Sequence, residues 1–159
     1  MPRALIETID SHHGALLRAL DRIEALASSS PHDEALATAL DGLRRKLVAH
    51  ERTAERFVVG PLRHLRLLDA RQLAALGAEL ERLVDDAARL TSGTPDAGAV
   101  DLFVQAARAH IERKVRAVVP AARAALAEGR LAAVSAWYFE EVYGLQGGPA
   151  PRWPEEWLW

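Results

Sequence analysis

Apolar side chains recur at three- and four-residue steps along most of the chain, which is the spacing of amphipathic helices and not of strands. The first stripe runs from about Arg3 to Ser28, with Ile6, Ile9, His13, Leu16, Leu20 and Ile23 on one face. Ser29-Ser30-Pro31 breaks it, and Ser30, Pro31 and Asp33 fit the N-cap, N1 and N3 positions of the next helix. That helix is expected from about Pro31 to Val59, with Leu36, Leu40, Leu43, Leu47, His50, Ala54 and Phe57 inside and Val58 beside them. Gly60-Pro61 should end or kink it, and Leu62 to Leu68 reads as a helical connection. Asp69 can cap a third helix over about Ala70–Thr91, whose stripe of Leu73, Leu76, Leu80, Leu83, Ala87 and Leu90 is purely apolar. After the loop Ser92–Asp96, a fourth helix runs from about Pro95 to Glu128, where Gly129 stops it. Leu131, Val134, Tyr138, Val142 and Leu145 give a short fifth helix, and Pro151–Trp159 holds three Trp and two Pro in a tail expected to strap the bundle or bind a partner. The pattern therefore predicts an all-α fold: an up-down four-helix bundle with a short fifth helix over residues 1–146 and a Trp-rich C-terminal tail over 147–159.

The informative positions are the polar residues on inward stripes. Val100, Phe103, Ala107, His110, Lys114 and Val118 form the inner face of the fourth helix, so an imidazole and a primary amine one turn apart point into the core. Burying them costs several kcal/mol unless partners are supplied, so other helices should bring acceptors or a bound ion to that level. His13 and His50 interrupt rows of Leu in the same way. Glu51 and Glu55, spaced i, i+4, share a flank of the second helix and are the nearest carboxylates. His12, His32 and His64 are expected at the surface or its edge.

Composition narrows the chemistry. The 159 residues suit one domain that needs no staple to fold, and cysteine is absent, which excludes disulfides and thiolate ligands and leaves His and carboxylates as metal donors. A net charge of −2, from 20 basic and 22 acidic residues, gives no bias toward nucleic acid or an anionic membrane, and binding to either is not expected. The N-terminal residues lack a hydrophobic run of signal-peptide length and no stretch approaches a spanning helix, so the expected location is cytoplasmic. Only Lys46 and Lys114 are lysines, against eighteen arginines, which singles out the compact ammonium of Lys114. Gly-rich phosphate loops and repeated ExxH pairs are missing.

The early inward His13 and the segments LVAHERTAERFVVGP and AHIERKVRAVVP, each ending in Val-Val with Pro61 or Pro120 close behind, resemble a hemerythrin-like (HHE) domain over most of residues 5–127. The resemblance implies two non-haem irons held between four helices and bridged by carboxylates, with O₂ binding or sensing of iron, oxygen or nitric oxide. Carried over residue by residue, His13, His50 and His110 match the ligand His of helices one, two and four. Glu55 stands five residues after His50 where four is usual, Ala54 occupies the expected place, and Glu51 is the other candidate. Leu73 and Gly77 fall near the helix-three His positions, and Lys114 and Val115 stand where the helix-four carboxylate should be.

Three functions follow. In one, His13, His50 and Glu55 or Glu51, with His110, hold iron for oxygen-dependent chemistry or iron/oxygen sensing; two His and one carboxylate are the ligand set of mononuclear non-haem iron. In another, Lys114 occupies the cation's place without metal, and the pocket binds a small molecule or does acid/base work with Lys114 and His110. In the third, the polar level is a relic and the tail contacts a protein partner.

Overall fold

The computed structural model describes residues 2–29, 34–93, 96–127 and 129–130, with side chains of the first helix from Asp10 onward. The elements are α1 (Pro2–Ser29), α2 (Glu34–Ala54), a π-helical turn (Glu55–Val59), α3 (Gly60–His64), α4 (Ala70–Ser92) and α5 (Ala97–Ala127). Among the described residues there is no strand, and no helix is long and apolar enough to cross a membrane. The expected cap at Ser30–Asp33, the fifth helix and the Trp-rich tail lie outside the described residues.

Around the bundle the order is α1, α2, α4, α5, so α2 and α5 face each other across the centre. Side-chain caps open both α4 and α5, the first of them expected from the residue pattern. Asp69 Oδ1 accepts from the Gln72 N–H at 2.7 Å to open α4, and Asp96 Oδ1 accepts from the Ala99 N–H at 2.8 Å to open α5. Gly129, at φ +70°, follows α5 where a left-handed residue is needed.

The second helix departs from the expected course. Gly60-Pro61 neither ends it nor starts a separate connection: the helix runs on to His64 through the π turn, in which the Gly60 N–H donates to the Glu55 carbonyl five residues back. The wider turn takes up one extra residue and eases the clash a proline ring makes with the helix before it. It also moves the inner face on by one position, so Val58, Val59 and Leu62 are buried while Phe57, expected inside, is half-buried. The segment ends in a Schellman motif: the Leu67 N–H donates to Leu62 O at 3.0 Å and the Arg66 N–H to Arg63 O at 2.9 Å. Arg66 holds the left-handed position, φ 57°, that glycine would usually take.

The core is in two parts. Leu16, Leu20, Ile23, Leu36, Leu40, Leu43, Leu47, Val100, Phe103 and Ile111 belong to one apolar cluster, and Ala54, Val58, Val59, Leu62, Val118, Ala122 and Ala125 form the other. On α2, His50 lies between Leu47 and Ala54; on α5, Lys114 lies between Ile111 and Val118. A polar level thus separates two greasy ones.

Candidate functional site

Among the described residues, His13 from α1, His50 and Thr53 from α2, and His110 and Lys114 from α5 are the buried polar ones, all at or below 9 % exposure. They are here because each replaces an apolar residue on an inward stripe, and helix geometry carries it inward with its neighbours. The His13 and His50 rings stand edge to face with centroids 4.8 Å apart. His12, at the edge of the level, approaches His50 at 5.8 Å between centroids. Neither nitrogen of His50 has a hydrogen-bond partner among the described residues, nor has Nδ1 of His13. Buried imidazole nitrogens are ordinarily satisfied, so three without a protein partner at one depth mark a place built to receive something.

The other polar groups are paired. Lys114 Nζ donates to Glu51 Oε2, reaching from α5 to the facing α2, and the Glu51 side chain keeps 29 % of its surface exposed. His110 Nδ1 lies 3.2 Å from Glu79 Oε2 on α4, which also accepts from Arg113 at 3.1 Å. With that carboxylate ionised, the ring donates from Nδ1, which leaves Nε2 of the neutral imidazole as the acceptor. Glu55 is turned to Arg63, with 37 % of its side chain exposed. The flank that regular helical spacing assigns jointly to Glu51 and Glu55 is therefore divided, Glu51 pairing with Lys114 across the bundle and Glu55 with Arg63 eight residues on. Of the two candidate carboxylates, Glu51 is the one at the polar level.

A cavity of about 20 Å³, close to the volume that one water occupies, is lined by His13, His50, Ala54, Val58, Lys114, Val118, Val119 and Ala122. Pro120, inside α5, removes a backbone hydrogen bond next to these walls, and Pro61 follows the π turn on the facing helix. Both prolines fall just beyond the polar level, where regular helix packing would close the space.

Electrostatics keep the imidazoles neutral. Burial, reinforced by the Lys114 charge, lowers the His13 pKa to about 4. Burial pushes His50 well below its ordinary value, with His13 and Lys114 adding to the effect. His110 is lowered by burial, against the opposing hydrogen bond from Glu79. Burial would raise Glu79, but the hydrogen bonds from His110 and Arg113 outweigh it and hold the carboxyl below its usual range. At neutral pH the level thus holds uncharged rings around a lysine–glutamate pair.

Glu79 and the π turn were not visible in the residue pattern. Glu79 flanks the α4 stripe three residues after Leu76, and nothing on its own helix distinguishes it from solvated neighbours. Its meaning comes from its register with α5.

A helical bundle with imidazoles from facing and adjacent helices at one interior depth is the architecture of proteins that hold a cation between their helices. The family model for the hemerythrin HHE cation-binding domain matches residues 4–122, and the chain belongs to that family. No curated protein and no solved structure is matched.

The residues present fit a two-ion centre poorly. Glu51 is engaged by Lys114 and Glu55 by Arg63, and α4 contributes Glu79 to His110 and no imidazole. Among the described residues no three His, Asp or Glu side chains converge closely enough to hold a metal ion.

Proposed function

We propose that the chain is an HHE-family bundle whose interior cation is the Lys114 ammonium, and that its polar level is a binding pocket for one small uncharged molecule. Glu51 is the counter-ion, and His13 and His50 are neutral rings whose unpartnered nitrogens offer hydrogen bonds to the occupant. The Lys114–Glu51 pair beside those rings carries this reading. A divalent ion about 4 Å from the ammonium would be repelled by about 4 kcal/mol per unit of its charge at an effective dielectric of 20, and would have to take Glu51 from its partner. The cavity, at about 20 Å³, suits a water-sized occupant and excludes a metabolite. Elemental analysis of protein expressed in iron-supplemented medium tests the reading. It expects far less than one transition-metal ion per chain, and near-stoichiometric iron that disappears in His50→Ala would overturn it.

The unpartnered nitrogens support a second reading, one non-haem iron held by His13, His50, His110 and Glu51 for oxygen-dependent chemistry or sensing. His110, anchored through Nδ1 to Glu79, has the second-sphere partner that metal-bound imidazoles usually have. That reading requires Lys114 to leave Glu51.

A further inference from the structure

We infer that the Trp-rich segment of residues 151–159 docks on its own chain, in the groove between the C-terminal end of α4 and the first turns of α5, with indole rings against Leu102. The inference is independent of what occupies the polar level.

The groove, of about 480 Å³, is lined by Leu90 of α4 and by Ala99, Leu102, Ala106 and the buried Phe103 of α5. Its size falls in the range of about 300–1,000 Å³ typical of clefts that take a ligand. Leu102 lies one step off the inner stripe of Val100, Phe103 and Ala107, so it points outward, and at 69 % exposure it is the only exposed large apolar side chain among the described residues. Ala99 and Ala106, three residues before it and four after, share its face and leave room beside it for a ring.

The length of chain beyond α5 says what covers it. Gly129, at φ +70°, turns the chain off the α5 axis. Leu102 stands 25 residues before Ala127, about 38 Å back along the helix. Residues 131–159 lie beyond the described ones, but their sequence sets their reach. The apolar spacing from Leu131 to Leu145 reads as a helix of about 24 Å, and Gly147 to Pro151, extended, span about 16 Å more. A segment returning along the bundle therefore reaches the level of Leu102 where Trp153, Trp157 and Trp159 begin. The rim carries Asp96 and Arg89, whose side chain is 75 % exposed, and the segment offers Arg152 to the first and Glu155 or Glu156 to the second. Being tethered, it meets the groove at an effective concentration of order millimolar, ahead of a second copy of the chain.

The test uses the indole N–H signals of the ¹⁵N-labelled full chain, each tail signal being assigned by Trp153→Phe, Trp157→Phe or Trp159→Phe. Cysteine is absent from the sequence, so one introduced thiol carries a nitroxide at a single place: Ser92→Cys beside the groove, or Arg66→Cys at the opposite end of α4. The expected result is that the tail indoles lose intensity with the Ser92 label and keep it with the Arg66 label. Adding Leu102→Arg to the Ser92-labelled chain should restore the lost intensity; the side chain is exposed, so the core is untouched, and circular dichroism checks the fold, with Leu102→Ser as the milder substitute. Three results would each overturn the inference. In one, the Ser92 label leaves the tail indoles unaffected; in another, their loss persists in folded Leu102 variants. In the third, the loss appears when ¹⁵N chains without a label are mixed with labelled ¹⁴N chains, which would assign the groove to a neighbouring copy.

Discussion

Acid should destabilise this bundle in a pH range where ordinary carboxylates have not yet titrated. His13 has a pKa of about 4 in the folded chain against an ordinary 6.5, because burial and then the Lys114 charge disfavour the imidazolium. Between those two values the unfolded chain takes up a proton that the folded chain refuses, so the stabilisation is complete above pH 6.5 and is lost as the pH falls toward 4. At about 1.36 kcal/mol per pH unit, the full interval amounts to on the order of 3 kcal/mol from His13 alone. His50 and His110, both lowered by burial, act with the same sign. Urea unfolding at half-unit steps from pH 7.5 to 4.5 measures the slope directly, and a His13→Gln variant isolates its share. Wild-type stability should fall by more than one proton's slope through pH 5–6, and the variant's by about one proton less. A flat profile above pH 5, or a variant as steep as wild type, would refute the claim that the ring is buried uncharged beside an ammonium.

Further expectations concern the ion pairs and the backbone. Glu51→Leu should cost about 3 kcal/mol by stranding the Lys114 charge, and Lys114→Met less because the Glu51 carboxylate retains some contact with water; the Glu51→Leu/Lys114→Met double variant should recover most of the loss in a double-mutant cycle. A cycle showing simple additivity would remove the pair from the account. Glu55→Ala breaks only the half-exposed pair with Arg63, so its thermal midpoint should correspond to a change under about 1 kcal/mol; a larger loss would place Glu55 in the interior chemistry. Arg66→Gly, at φ 57°, should stabilise the bundle by up to about 1 kcal/mol in urea unfolding, and destabilisation would mean that the left-handed turn is not the resting geometry.

Much of this was legible in the residues, for reasons particular to each. Helix periods and the Asp69 cap depend on local spacing, and they are found where that spacing puts them. The inward direction of His13, His50, His110 and Lys114 follows from stripes of Leu and Val on their own helices, and those four side chains are buried. The choice between Glu51 and Glu55 was not legible, because it turns on which partner each carboxylate meets, Lys114 on α5 or Arg63 on α3, and their shared flank does not encode that. Nor was Glu79: a carboxylate at the edge of an apolar stripe becomes the partner of His110 only through the relative register of α4 and α5, which neither helix encodes alone. The family match over residues 4–122 identifies the scaffold; in the proposed reading the fate of its cation turns on Lys114 and its contact with Glu51.

The central claim is that an ammonium and not a metal ion holds the positive charge at the His13–His50 level. Crystals grown from iron- and zinc-supplemented protein, with diffraction collected above each metal's absorption edge, test it most directly. The account predicts Lys114 Nζ on Glu51 and no anomalous peak near the two rings. A peak within about 2.2 Å of a His50 nitrogen, with the Lys114 side chain displaced, would contradict it.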